Sequence, residues 1–251
     1  MGTYISHFRN VEILLTEVKG LDAEAFLYGN LAPDAGIPNQ AGTQFNPPRT
    51  ITHFLSSDNE AQSADLEFYR QYLQLVDQAT DPHKYSFLLG YFIHLICDNL
   101  WTLWIVDASV KDYGNLIAKR GSEAWRLLKQ DWHDLDRKYY RDHSESGIWE
   151  TMQLLQTPPA YLSYLPPTAM SQQMAYLENV YLQAGESREL DRTYPYLNTI
   201  TMERFVDEST KLVLEILSQP EKLSASCHQT ALSLLRSEKL RPYGYPLGDA
   251  Q

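Results

Sequence analysis

The most constraining feature of this sequence is one long apolar stretch, Tyr85 to Val106, that carries two titratable residues near its middle. It reads YSFLLGYFIHLICDNLWTLWIV, so His94 and Asp98 are four residues apart. On an α-helix, residues at that spacing lie one turn apart on the same face. An imidazole and a carboxylate placed in this way can hold a metal ion between them, or they can satisfy each other inside a core. Both interpretations bury the pair in a helix.

The same stretch has about the length of a membrane-spanning helix, which needs roughly 20 apolar residues. An Asp at the centre of such a helix costs about 2.5–3.5 kcal/mol, and His94 and Asn99 add to that cost. The sequence offers no second stretch of this kind and no basic flank on either side. We therefore predict a buried core helix and no transmembrane segment.

The charge balance restricts the partners. The 251 residues contain 21 Lys and Arg against 32 Asp and Glu, which gives a formal net charge of −11. An acidic surface repels a phosphate backbone, so duplex nucleic acid is not expected as a partner, although a cluster of metal ions can still attract a small anionic ester. The two cysteines, Cys97 and Cys227, predict no disulfide framework. The first ten residues lack the basic and apolar regions of a signal peptide, so a cytoplasmic location is expected.

Helical spacing of apolar residues recurs along the rest of the chain. Leu31 to Thr50 is the exception, because it is rich in Pro, Gly and Asn and predicts a long loop that contains Asp34. The main helices predicted besides the central one cover about 4–18, 22–28, 61–80, 122–143, 147–156, 168–183, 198–218 and 224–239. We expect one all-α domain over residues 1–251, a bundle of roughly seven to nine helices with a motif-bearing core at about 4–140 and C-terminal helices over 145–240.

Candidate metal ligands occur beside the apolar helix faces and in the unusual loop. Histidines inserted into apolar stripes need a chemical reason, and metal ligation supplies one. The mixed spacing of the set matches no short metal-binding signature, so each residue taken alone also fits a structural role. In chain order the candidates are His7, Asp34, His53, His94 and Asp98, followed by a second group of His133, Asp134 and Asp136.

The order and local sequence of the first five residues resemble the zinc-dependent phospholipase C family, which is structurally akin to the fungal single-strand nucleases. Four segments in sequence carry the resemblance: Ser6-His7, FLYGNLAPD ending at Asp34, THF around His53, and GYFIHLICD from Gly90 to Asp98. The resemblance spans roughly Ser6 to Asp136, and the later helices match only as general α-helical sequence. It implies an all-α fold of the phospholipase C and single-strand nuclease type.

The resemblance also implies a ligand set. Asp98 would be shared by two metal ions, and His7 would complete the second of them. The remaining implied ligands are Asp34, His53 and His94. Such His and carboxylate ligands suit zinc, and they also accept manganese or iron. One or two ions are therefore expected.

Four further ligands of the family have no clear equivalent here. Secreted members use their mature N-terminal amine, and no secretory processing is visible in this sequence. Two tryptophans occupy the turns after Asp98, where the family has another His. The family's later His-x-x-x-Glu pair is also unmatched, because Arg137 stands four residues after His133. The nearest substitute is His133 with Asp136, or with Asp134, and a third ion depends on that group.

The implied activity is hydrolysis of a phosphoester, in particular a phosphodiester, by metal-activated water. Asp98 would bridge the ions, while Asp34 would act as a ligand and orient the water. A small phosphoester or a phospholipid head group suits an acidic protein better than a polynucleotide. Two alternatives stay open. One is a non-catalytic helical protein with a structural or degenerate metal site, and the other is an HD-type phosphohydrolase, which needs an adjacent His-Asp pair such as His133-Asp134.

Overall fold

Helices account for most of the chain in the computed structural model, which describes residues 2–39, 44–56, 59–147, 150, 160–183, 188–241 and 247–249. The helices are α1 (Tyr4–Glu17), α2 (Ala23–Leu31), α3 (Arg49–Thr52), α4 (Asp65–Gln71), α5 (Pro82–Trp101), α6 (Asp107–Arg120), α7 (Ser122–Asp142), α8 (Pro167–Leu177), α9 (Thr199–Leu217) and α10 (Pro220–Ala225). Two small antiparallel hairpins pair β1 (Ile37–Pro38) with β2 (Phe45–Asn46), and β3 (Leu55–Ser56) with β4 (Asn59–Ser63). The predicted all-α class is confirmed.

The long apolar stretch forms α5, which lies at the centre of the fold. Its N-terminus is capped by Asp81, whose side chain accepts a hydrogen bond from the backbone of Lys84. Every residue from Ser86 to Trp101 is buried. By length and composition, one segment of the described chain, Pro82–Arg120, could cross a membrane, but 83% of its apolar window is buried inside the protein. That burial fits the predicted core helix.

Two glycines allow α2 and α5 to pack backbone against backbone. A Cβ atom at Gly29 would lie 1.8 Å from the carbonyl oxygen of Phe87, and one at Gly90 would lie 2.2 Å from that of Phe26. Neither position has room for a side chain. This approach brings the carbonyl of Asn30 to the ring of His94, 2.7 Å from Nδ1.

Aromatic rings join α5 to its other neighbours. Trp101 packs edge-on against Trp132 of α7 and Phe205 of α9, with ring centroids 5.2 and 4.9 Å apart. The chain then enters a π-helical turn, Thr102–Val106, in which Trp104 donates its indole N–H to the carbonyl of Leu240. The two tryptophans after Asp98 therefore belong to the core.

The first two turns of helix α1 are fixed by hydrogen bonds. Thr3 and Ser6 form a capping box at its N-terminus. One turn further on, the buried Asn10 donates hydrogen bonds to Ser209 and Thr210 of α9, at 2.9 and 2.6 Å. These contacts fix the turn that carries His7.

The helix predicted over about 61–80 is wrong for part of its length. Residues 59–63 form β4, and α4 is limited to Asp65–Gln71, with only a 3-10 turn at Leu73–Leu75 beyond it. The carboxylate of Asp65 accepts hydrogen bonds from the side chain of Asn99 (2.8 Å) and the backbone of Ala231 (2.7 Å). These long-range bonds fix the start of the helix, and local periodicity does not reveal them.

The C-terminal helix predicted over about 224–239 is also wrong. Helix α10 ends at Ala225, and the chain continues through 3-10 turns at Ala231–Leu234 and Ser237–Leu240. Thr230 and Ala231 donate hydrogen bonds to the carboxylate of Asp65. These bonds take the place of a continuous helix in this segment. The helix α6 was not predicted, and the predicted helix at 147–156 lies almost entirely outside the described residues.

Candidate metal centre

Five side chains from separate parts of the chain meet in one buried cluster beside α5. The two oxygens of Asp98 lie at its centre, with Oδ1 3.3 Å from His7 Nε2 and Oδ2 3.5 Å from His53 Nε2. Oδ2 is also 3.7 Å from His94 Nε2, and His53 Nε2 is 3.2 Å from Asp34 Oδ1. None of the five side chains is more than 8% exposed. The structure therefore brings together His7, Asp34, His53, His94 and Asp98 as a single group.

Neighbouring groups fix the orientation of two of the imidazoles. The backbone carbonyl of Asn30 accepts a hydrogen bond from His94 Nδ1 at 2.7 Å. The hydroxyl of Thr52 lies 3.0 Å from His53 Nδ1. Occupying Nδ1 in this way turns the lone pair of Nε2 towards the cluster, as partners around metal-binding histidines commonly do.

The imidazole rings are packed closely together. His7 and His94 are stacked, with centroids 4.0 Å apart and planes only 6° from parallel. Burial, with the neighbouring His94, lowers the pKa of His7 to about 4. Burial also lowers the pKa of His53, whereas Asp98 outweighs burial at His94 and raises its pKa. A His7 that is neutral near pH 7 is in the form that binds metal.

Both carboxyl groups are held in the ionised form. Burial by itself raises the pKa of Asp34, but the adjacent imidazole of His53, together with the charge of His94, brings it to about 2. The charges around Asp98, including that of His94, likewise overcome burial and hold its pKa well below the usual value. The cluster thus offers two carboxylates at neutral pH.

The residues present fit a zinc ion. Nε2 of His7, His53 and His94 is buried without a hydrogen-bond partner in the described part of the chain. Leaving such an atom unsatisfied costs about 1–3 kcal/mol, and a metal ion would use each lone pair. The ligand atoms fall within 4.8 Å of one another in two groups, which are His7, His94 and Asp98, and Asp34, His53 and His94.

Gly2 takes part in the cluster, although sequence reasoning did not identify it. Its backbone nitrogen donates a hydrogen bond to Asp98 Oδ1 at 2.6 Å. A Cβ atom there would lie only 2.6 Å from His7 Nε2, so a residue without a side chain is needed at this distance. The two oxygens of Asp98 consequently face different groups, Oδ1 towards Gly2 and His7, and Oδ2 towards His53 and His94.

The second predicted ligand group does not reach the cluster, which corrects the expectation for His133 and Asp136. His133 is exposed and lines a separate open groove of about 860 Å³. Asp134 instead pairs with Arg192, at 2.7 Å, and with Arg188, at 3.2 Å. Because its carboxylate is satisfied by arginines, the His133-Asp134 pair gives no support to an HD-type site.

Asp136 has a different task near the cluster. It accepts hydrogen bonds from the hydroxyls of Thr3, at 2.6 Å, and Tyr181, at 2.9 Å. The backbone N–H of Ile5 donates to Oδ2, the oxygen that also accepts from Tyr181, at 3.5 Å. Asp136 therefore holds the first turn of α1, and acts on the cluster only by positioning the helix that carries His7.

A small cavity of about 90 Å³ opens beside Asp34. It is lined by Tyr4, Pro33, Asp34, Gly36, Phe45, Pro47, Arg49 and Thr52. Its lining includes one predicted metal ligand, so a molecule bound in this cavity lies next to the metal centre.

A family model described as zinc dependent phospholipase C matches residues 6–101. No curated protein and no solved structure matches the chain. The matched residues include all five members of the cluster, and they end before the segment of His133, Asp134 and Asp136.

Proposed function

Because residues 6–101 are related to the zinc dependent phospholipase C family, we propose that the protein is a metal-dependent phosphoester hydrolase that acts on phosphodiesters. The observation that carries the proposal is the convergence of three imidazoles and two carboxylates with unpartnered, buried Nε2 atoms. A family relationship of this kind favours substrates with a lipid-type head group. A small soluble diester has the same reacting group and is included in the proposal.

Each ligand has a defined place in this proposal. Asp34, His53 and His94 would hold one zinc ion, and His7, His94 and Asp98 form the group that would hold a second. The two oxygens of Asp98 face different imidazoles, Oδ1 that of His7 and Oδ2 that of His53. Zinc bound there would lower the pKa of a bound water molecule and neutralise the charge that develops on a phosphoryl group. Manganese or iron fits the same ligands.

The protein's own residues prepare this chemistry. Asn30 and Thr52 hold the rings of His94 and His53 so that Nε2 faces the cluster. Asp34 lines the cavity and is ionised at neutral pH, so it can accept a hydrogen bond from a water molecule in the cavity and orient it. Burial of the cluster strengthens each of these electrostatic contacts.

The alternative is a non-catalytic protein in which a metal ion only cross-links helices. One observation favours it. The two tryptophans that follow Asp98 are core residues, and His133 lies on the surface, so nothing in the described residues replaces the additional ligands of the family. A structural site predicts tight metal binding without turnover.

The test compares turnover with stability. We expect zinc-loaded protein to hydrolyse bis-p-nitrophenyl phosphate, and Asp34→Asn to lower kcat by about 100-fold or more, the usual effect of removing a group that accepts a proton or a hydrogen bond from the attacking water. Asp77→Asn, at an exposed carboxylate that bonds only its own turn, is the matched control. A folded, zinc-loaded protein without turnover would leave only the structural role.

A further inference from the structure

The cavity beside Asp34 contains a positive charge that the metal centre does not use. Arg49 opens α3 and lines the cavity together with Tyr4 and Phe45. Its side chain is exposed. The backbone carbonyl of Arg49 accepts a hydrogen bond from His53 N–H at 2.8 Å, whereas its guanidinium has no ion pair or hydrogen bond among the residues that the structure describes. The guanidinium is therefore available to a ligand.

Asp34 does not neutralise Arg49. Of the lining residues that the structure describes, Asp34 alone has a carboxylate, and its Oδ1 faces His53 Nε2 at 3.2 Å. An arginine left in this position is suited to a carboxylate or a phosphate, which its planar donors can bind in pairs.

The aromatic side chains of the cavity suggest a rival occupant. Tyr4 and Phe45 are the kind of residues that surround a quaternary ammonium group such as choline. A full positive charge on Arg49 repels such a group, and the one carboxylate that would attract it is directed towards His53. The charges of the cavity therefore favour an anion.

The available space is also adequate for an anion. The cavity has about 90 Å³. One water molecule needs roughly 10–15 Å³ by the same kind of measure, so the cavity admits a compact charged group.

We infer that Arg49 binds a second anionic group of the substrate, a carboxylate or a phosphate next to the phosphoester that is cleaved. The site then selects substrates with additional negative charge over those with a choline-type head group. This inference rests on the proposed function, because the scissile phosphoester is taken to lie at the metal centre.

The binding of three phosphomonoesters tests the inference. Each of the three contains a single phosphate group, and they differ in the rest of the molecule. Phosphoglycolate carries a second anion, ethyl phosphate carries no further charge, and phosphocholine carries a cation. Calorimetry on the zinc-loaded protein is expected to give the tightest binding for phosphoglycolate. Arg49→Gln is expected to weaken the binding of phosphoglycolate by about tenfold or more, as for loss of a hydrogen bond to a charged group. The affinity for ethyl phosphate should be unchanged.

The control is Arg126→Gln, at an exposed arginine that lines the separate groove on α7. It should change none of the three affinities. The inference is overturned if phosphocholine binds most tightly. It is also overturned if Arg49→Gln weakens the binding of phosphoglycolate and of ethyl phosphate equally. If none of the three binds, the metal centre itself is not a phosphoester site, and both proposals fail. If ethyl phosphate binds and Arg49→Gln leaves all three unchanged, only the inference fails.

Turnover identifies the source of the anionic ester. A diester with a second phosphate is supplied as the water-soluble deacylated molecule and as the acylated lipid in detergent micelles. We expect Arg49→Gln to lower kcat/KM for whichever form the protein prefers, and that preference separates a soluble substrate from a lipid. Unchanged kcat/KM for both forms contradicts the role of Arg49.

Discussion

His94 is the side chain on which the metal centre depends most, because it belongs to both groups of candidate ligands. We predict that His94→Ala removes most of the bound zinc. The matched control is His83→Ala on the same helix, where the ring lies 2.7 Å from the hydroxyl of Tyr161 and takes no part in either group. Zinc per protein chain, measured by elemental analysis after gel filtration, checks this directly. Equal zinc content in the two variants contradicts the assigned ligands.

Asp136 gives the protein a pH dependence that is separate from the metal. Burial raises its pKa to about 7. Between about pH 4 and pH 7 the folded state therefore keeps a proton that the unfolded state has released, so its contribution to the free energy of unfolding falls as pH rises. We predict that Asp136→Asn loses this part of the dependence, a difference of a few kcal/mol across the window. Urea unfolding at several pH values measures the free energy of unfolding of both proteins. The prediction is contradicted if this free energy depends on pH in the same way in the wild type and in Asp136→Asn.

Sequence reasoning finds the side chains of the cluster but not the backbone atoms. The four-residue spacing places His94 and Asp98 on one face. His7, Asp34 and His53 are candidates from their positions beside apolar faces and in the loop, and the order of short family-like segments joins them to that pair as one ligand set. The carbonyl of Asn30 and the nitrogen of Gly2 were missed. Every residue has these backbone groups, so a sequence does not mark the ones that are used. His133 and Asp136 were proposed as the nearest substitute for the family's later ligand pair, and neither belongs to the two ligand groups among the described residues.

At the scale of helices, the contact between α2 and α5 sets the geometry of the centre, because it brings Asn30 to His94. We predict that Gly90→Ala destabilises the fold by about 1–3 kcal/mol or more, since the new methyl group meets the backbone of Phe26. The matched control is Gly114→Ala in α6, where a Cβ has nothing within 4 Å. That change should stabilise the helix by up to about 1 kcal/mol.

Chemical denaturation of the two glycine variants separates these effects. A loss of zinc affinity in Gly90→Ala, but not in Gly114→Ala, would link the helix contact to the metal centre. Equal stabilities for the two variants would show that the backbone contact between α2 and α5 is not as close as described.

The helices that the sequence predicts correctly are those with a regular apolar pattern. Where the apolar period is long and regular, as in α5, α7 and α9, the predicted helices are present. Where a buried polar residue bonds to a distant segment, as Asp65 does to Ala231, the local pattern predicts helix and the structure does not continue it. Those bonds join residues more than 160 positions apart, which is beyond the range of any periodicity.

For the whole molecule, the centre joins segments that are far apart in sequence. Helix α1, the turn after α2, the residue after α3 and the middle of α5 each contribute to it. A metal ion that binds only the folded state stabilises that state in proportion to the logarithm of its concentration over Kd. The centre therefore has a structural effect whether or not it is catalytic, and the two roles must be separated by turnover.

The most direct test of the account is an anomalous difference map from crystals grown with zinc and measured on both sides of its absorption edge. We predict density between Asp34, His53, His94 and Asp98, and a second site beside His7 and Asp98, with ligand distances of about 2.0–2.2 Å. Density at the first site alone would reduce the centre to one ion. A map without a peak at these five residues, with their side chains packed as they are here, would contradict the central claim.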